Sequence, residues 1–198
     1  MTAGLLLAAG AGRRMGLPKA LVRDASGRPW LTRAVAVLLD GGCASVTVVL
    51  GASADEARSL LPAEAEVAIA ADWESGMGAS LRAGLRALEA TTADTALVHL
   101  VDLPDVGADV VRRVLAQAGN GRDALARASY DGTPGHPVLL GRDHWGPVSE
   151  AAAGDQGARS YLATHDLTLV ECGDLATGAD VDRPTERAGP TVDQRPAP

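Results

Sequence analysis

Between residues 3 and 118, apolar runs of strand length alternate with stretches whose apolar residues fall at helical spacing. No other feature limits the fold so strongly. A strand that returns to a parallel neighbour needs a crossover, usually a helix, and the crossover is right-handed. The alternation therefore predicts an α/β fold, with a mostly parallel sheet between two layers of helices. Strands are expected at 3–8, 46–50, 67–70 and 95–101, and helices at 29–39, 53–61, 78–90 and 109–118. Pro29 suits a helix start, while Gly41, Gly42 and Gly119 suit helix ends. Ser53 and Glu56 have capping-box spacing. Further on, strands at 124–129 and 138–140 flank a "YDGTPGHP" turn, a helix covers 155–164 and a last strand covers 167–170. No internal repeat or linker interrupts this order. Residues 1–186 are thus expected to form one domain, with a flexible Pro- and Gly-rich tail at 187–198.

Ligands of open α/β sheets bind beyond the carboxyl ends of the strands. The loop after Ala8 and the Asp102 that follows Val101 both lie at such ends, so they are expected to share one crevice. The loop reads "AGAGRRMGLPK" and contains Lys19, the only lysine in the chain. Glycines there let backbone N–H groups approach phosphate oxygens. A Walker A loop is excluded, because three residues separate Gly12 from Gly16 and Leu17 follows. A dinucleotide fingerprint fits poorly, since the glycine spacing is one residue too long. The second strand also ends "VVLGAS", without the acidic residue that a ribose needs. A third pattern, L-x-x-G-x-G-x-R-M-G-x-x-K, is filled at every fixed place by Leu7, Gly10, Gly12, Arg14, Met15, Gly16 and Lys19.

Net charge is −7 and the pI about 5.0. Such a surface argues against a nucleic-acid partner. It still allows a small anion in the local basic patch of Arg13, Arg14, Lys19 and Arg23. Cys43 and Cys172 form no CxxC and suit a reduced, cytoplasmic protein. No apolar run has the length of a membrane span. His99 is expected to be a hydrogen-bonded core histidine, and His144 and His165 to be surface residues. For Trp73 and Trp145, core packing is favoured, with stacking on a base or pterin as the alternative.

The third loop pattern resembles the signature of the MobA/MocA-like nucleotidyltransferases, closest to the molybdenum cofactor cytidylyltransferases. The blocks "SGMGASLRAG" (75–84), "VDLP" (101–104), "GHPVLL" (135–140), "GDQGAR" (154–159) and "DVDRPTE" (180–186) match that group in order. The resemblance implies a Rossmann-like, nucleotide-diphospho-sugar transferase-like fold. It also implies transfer of CMP from CTP to molybdopterin-bound molybdenum, with release of pyrophosphate and dependence on Mg²⁺.

By resemblance, Leu7, Ala8, Ala9, Gly10, Gly12, Arg14 and Lys19 bind the nucleotide, with Gly78 and Ser80 near the base or ribose. Lys19, Arg14 and Asp102 are the catalytic set. Asp102 and Asp182 are the metal ligands, with Asp180 as the alternative to Asp182. The acceptor contacts are His136, placed in a turn, and Asp155 and Arg159, whose i, i+4 spacing equally makes a helical ion pair. "LAAG" at 7–10 matches the cytidylyl version, whereas guanylyl relatives read "LAGG". The product's recipient is then a molybdenum hydroxylase apoenzyme. Three alternatives stay open: a GTP-using guanylyltransferase, an enzyme for another phosphorylated acceptor such as a sugar phosphate or a phospho-lactate-like compound, and a non-catalytic cofactor-delivery protein.

Overall fold

The computed structural model describes residues 1–182; residues 183–186 and the predicted tail at 187–198 lie outside them. The strands are β1 (Thr2–Leu7), β2 (Ser45–Leu50), β3 (Ala65–Ile69), β4 (Thr95–Leu100), β5 (Leu125–Tyr130), β6 (Thr133–Gly141) and β7 (Thr168–Glu171). The helices are α1 (Trp30–Asp40), α2 (Ala54–Arg58), α3 (Met77–Glu89), α4 (Ala108–Ala118), α5 (Trp145–Ala151) and α6 (Arg159–Leu162).

The strands form one sheet in the order β3-β2-β1-β4-β6-β5-β7. All pairings are parallel except those made by β6, so β6 alone runs against the other six. Helices cover both faces. Leu6, Val48, Leu97 and Leu139 pack with α1 and α4, and Leu5, Val49, Val98 and Leu140 pack with α3 and α5. Burial on both faces explains why β1 is an unbroken apolar run rather than an alternating one.

Several local expectations need correction. Ser53 has φ 52° and makes no capping hydrogen bond. An N-cap needs an extended backbone, so the Ser53–Glu56 box does not form and α2 ends at Arg58, short of Leu61. The helix expected at 155–164 is broken. Gly157 turns at φ 53° between a short 3₁₀ turn (Gly154–Gln156) and α6. In "YDGTPGHP" the turn is confined to Asp131 and Gly132, both at positive φ, as in the tightest hairpins. β6 therefore starts at Thr133, and His136 lies on a strand rather than in a turn. Helix α5 was not expected. His99 is buried as foreseen, but its Nδ1 has no hydrogen-bond partner among the described residues.

Candidate active site

The chain leaves β1 toward β2, while β4 joins the opposite side of β1. This is a topological switch point, where loops diverge and a crevice opens. The loop after β1 and the residues after β4 meet there. Gly12, at φ 59°, accepts hydrogen bonds on its carbonyl from the amides of Met15 (2.8 Å) and Gly16 (3.0 Å). Met15 is buried and anchors the loop, so Arg13 and Arg14 stay exposed. Pro18 then leads into a 3₁₀ turn, Lys19–Leu21, which brings Lys19 inward until its side chain is 19% exposed.

Lys19 Nζ donates to Asp102 and, at 2.7 Å, to Asp182 Oδ1. Arg14 Nη1 donates to Asp182 Oδ2, also at 2.7 Å. Partial burial of Lys19 opposes its charge, but the hydrogen bonds to Asp102 and Asp182 outweigh it, and the net pKa is raised. Asp182 is held below the usual carboxylate range by Lys19 first and Arg14 second.

The segment after β7 brings Asp180 and Asp182 back to the loop that follows β4. Thr177 donates to Asp105 through its amide (2.6 Å) and its hydroxyl (2.5 Å). The Val181 amide donates to the Asp102 carbonyl at 3.0 Å. Carboxylate oxygens of Asp102, Asp180 and Asp182 thereby lie within 4.8 Å of one another. An all-oxygen, anionic donor set of this kind fits a hard divalent cation.

Two cavities of about 350 Å³ and 710 Å³ share Leu7, Lys19, Met77, Leu100, Asp102 and Asp155, so they join at the carboxylates. The structure places Leu7, Ala8, Ala9, Gly10, Gly12, Lys19, Ser80 and Asp102 on the smaller cavity. Arg14, His136, Asp155, Arg159 and Asp182 line the larger one. Gly78 lines neither. A Cβ there would lie 2.9 Å from the backbone of Ala152 and Ala153, so Gly78 serves close packing of α3. Asp155 and Arg159 form no ion pair, because the break at Gly157 removes the helical spacing.

Trp73, expected to pack in the core, and Arg127, which no motif contains, also line the site. Trp73 is half-buried and lines the smaller cavity, whereas Trp145 is buried and donates to the Leu140 carbonyl at 3.0 Å. Arg127, on β5, lines the larger cavity. It lies outside every matching motif, and only the pairing of β5 with β6 brings it to the site. Burial first, and then the charges of His99, Arg127 and Arg159, push His136 down to about 3.

Residues 4–169 match the family model described as the MobA-like NTP transferase domain. The chain is 38% identical to the nicotine blue oxidoreductase of Paenarthrobacter nicotinovorans over 188 residues, or 90% of this chain and 91% of that one. It is 33% identical to the molybdenum cofactor guanylyltransferase of Rhodobacter capsulatus over 150 residues, or 72% of this chain and 65% of that one. The solved structure of an rv0371c homolog from Mycobacterium sp. strain JC1 superposes with a TM-score of 0.76 at 25% identity, covering 92% and 90% of the two chains. Matched along most of its length and carrying the glycine loop, this chain belongs to the family of the MobA-like NTP transferase domain and is a nucleotidyltransferase.

Proposed function

We propose that this nucleotidyltransferase moves CMP from CTP to the phosphate of molybdopterin-bound molybdenum and releases pyrophosphate. One observation carries the reading: Lys19 and a group of three carboxylates stand where a cavity of about 350 Å³ opens into one of about 710 Å³. The molybdenum acceptor is supported by the relative named molybdenum cofactor guanylyltransferase, and the cytidylyl preference by "LAAG" at 7–10.

In this reading the amides of residues 10–12 cradle the triphosphate of CTP. Ser80 and Trp73 face its base and ribose. Asp102, with Asp182 and Asp180, would hold a divalent cation such as Mg²⁺, which would supply positive charge to the phosphate oxygens and polarise the α-phosphorus. Arg14 and Lys19 offset the charge that develops on the departing pyrophosphate. His136, Asp155 and Arg159 orient the acceptor. An acceptor phosphate is already ionised at neutral pH, so no general base is needed; alignment and charge neutralisation suffice. Residues 1–186 act as one catalytic unit in a cytoplasmic enzyme, which passes its product to a molybdenum hydroxylase apoenzyme.

The test is pyrophosphate release with each of the four NTPs, with and without molybdopterin. Release with CTP only when the pterin is present supports the proposal. Release with a sugar phosphate overturns the acceptor. Lys19→Ala and Asp102→Ala are each expected to reduce turnover by roughly a hundredfold or more while circular dichroism stays native.

A second reading has one observation in its favour, the 38% identity to a protein named as an oxidoreductase. Under it, the cleft holds a redox dinucleotide. The absence of an acidic residue at the end of β2, where Leu50 runs into Gly51 and Ala52, speaks against it. Oxidation of NADH or NADPH by the purified protein with nicotine blue, without any NTP-dependent pyrophosphate release, would establish this reading instead.

A further inference from the structure

The larger cavity has two chemically different ends. Asp102, Asp180 and Asp182 stand at one, beside Lys19 and Arg14. Arg127, His136 and Arg159 stand at the other, and between them run apolar walls that include Leu81, Val98, Val138 and Leu140. Arg127 is level with Val138 on β6, which in turn is level with Val98 on β4. Neighbouring strands lie about 4.8 Å apart and each residue adds about 3.3 Å, so the backbones of Arg127 and Asp102 are on the order of 15 Å apart.

Arg127 is half-buried, yet its only hydrogen-bond acceptor among the described residues is the Gly135 carbonyl, reached by Nε at 3.2 Å and Nη2 at 3.1 Å. A guanidinium has five N–H donors, so most of its capacity remains for the cavity. No carboxylate among the described residues pairs with Arg127 or Arg159. Burying a cation beside another cation is costly unless an anion joins them. Burial, followed by the charge of Arg159, lowers the pKa of Arg127, as expected of a site short of negative charge.

We infer that Arg127, with Arg159, binds a second anionic group at the far end of the acceptor, so that the substrate is a phosphorylated molecule with a negative charge at each end. The inference rests on the nucleotidyltransferase reading of the cleft, which places the reacting phosphate at the Asp102 end. Acceptors with a lone phosphate leave Arg127 uncompensated and are disfavoured. Arg127 makes no hydrogen bond or ion pair with Asp102, Asp180 or Asp182, so its assigned part is to set acceptor specificity and not to carry the chemistry.

The probes are an eight-carbon α,ω-phosphonocarboxylate and the alkylphosphonate of equal length, titrated calorimetrically into the full chain with Mg²⁺ and CTP. The doubly anionic probe is expected to bind roughly tenfold or more tightly than the singly anionic one. Arg127→Gln retains a donor for the Gly135 carbonyl and is expected to erase that preference, whereas Arg127→Lys keeps part of it. Thermal melting of both variants verifies that each is folded, and Arg159→Gln, at an exposed position, is expected to weaken the preference if Arg127→Gln does not fold. Equal binding of the two probes to the natural sequence, or a preference that survives Arg127→Gln or, in its stead, Arg159→Gln, overturns the inference. Pyrophosphate release from CTP reports separately on the underlying activity, so the failure of one is not the failure of the other.

Discussion

His99 shows how one buried side chain can make stability depend on pH. Its ring lies among apolar residues of the face that packs on α1, and burial, helped by the charge of Arg33, lowers its pKa to about 4. The unfolded chain, with a histidine near 6.5, binds the proton more readily than the folded one. Stability is therefore lost as pH falls below 6.5, and the loss levels off below about 4. At pH 5 the cost is about 2 kcal/mol. His99→Leu removes both the titration and the partnerless Nδ1. Urea midpoints at pH 7.5 and pH 5 are expected to converge in that variant relative to the natural sequence; an unchanged gap would assign the effect to other groups. The sequence foretold the burial of His99, because it sits within "ALVHLV". It could not reveal the missing hydrogen bond, which depends on neighbours from other elements.

At the scale of elements, the loop after β1 is shaped by Gly12 more than by Gly10. A Cβ on Gly12 would stand 1.9 Å from the Leu17 carbonyl, at a φ that L-residues avoid, while a Cβ on Gly10 meets nothing within 4 Å. Gly12→Ala is expected to lower the melting temperature and to raise the KM for the nucleoside triphosphate by roughly tenfold or more. Gly10→Ala is expected to keep the melting temperature and to lose activity only through a methyl group facing the phosphates. Comparing the melts and KM values of the two variants separates loop shape from ligand approach. The same contrast shows what could be read in advance. Apolar runs announced β1, β2 and β4, and spacing announced Gly10, Gly12 and Lys19. The helix expected at 155–164 shortens to α6 because Gly157 takes the positive φ open to glycine, a choice set by tertiary contacts and not by the residue type alone. Ser53 was misjudged because its side chain suits a cap but its backbone does not adopt one. Arg127 was overlooked because its importance comes from strand pairing and not from any local motif.

For the whole molecule, β6 is the strand that converts a parallel sheet into a two-chambered one. Its reversal lets the β5–β6 hairpin carry Arg127 and His136 beside a cleft that the parallel half had already opened. The joint between the chambers is where a divalent ion is expected to act on global stability. Mg²⁺ or Mn²⁺ added with a nucleoside triphosphate should raise the melting temperature of the natural sequence in a concentration-dependent way. Asp102→Asn should abolish that rise, and a chelator should stop pyrophosphate release reversibly. A melting temperature indifferent to metal would count against Asp102, Asp180 and Asp182 as ligands. Two of these three carboxylates are encoded after the last strand. β1 to β7 are all translated before Asp180 is, so these strands exist in the growing chain while two of the three carboxylates are still untranslated. A stop codon just past Glu171 would accordingly leave β1 to β7 encoded but only Asp102 of the three carboxylates.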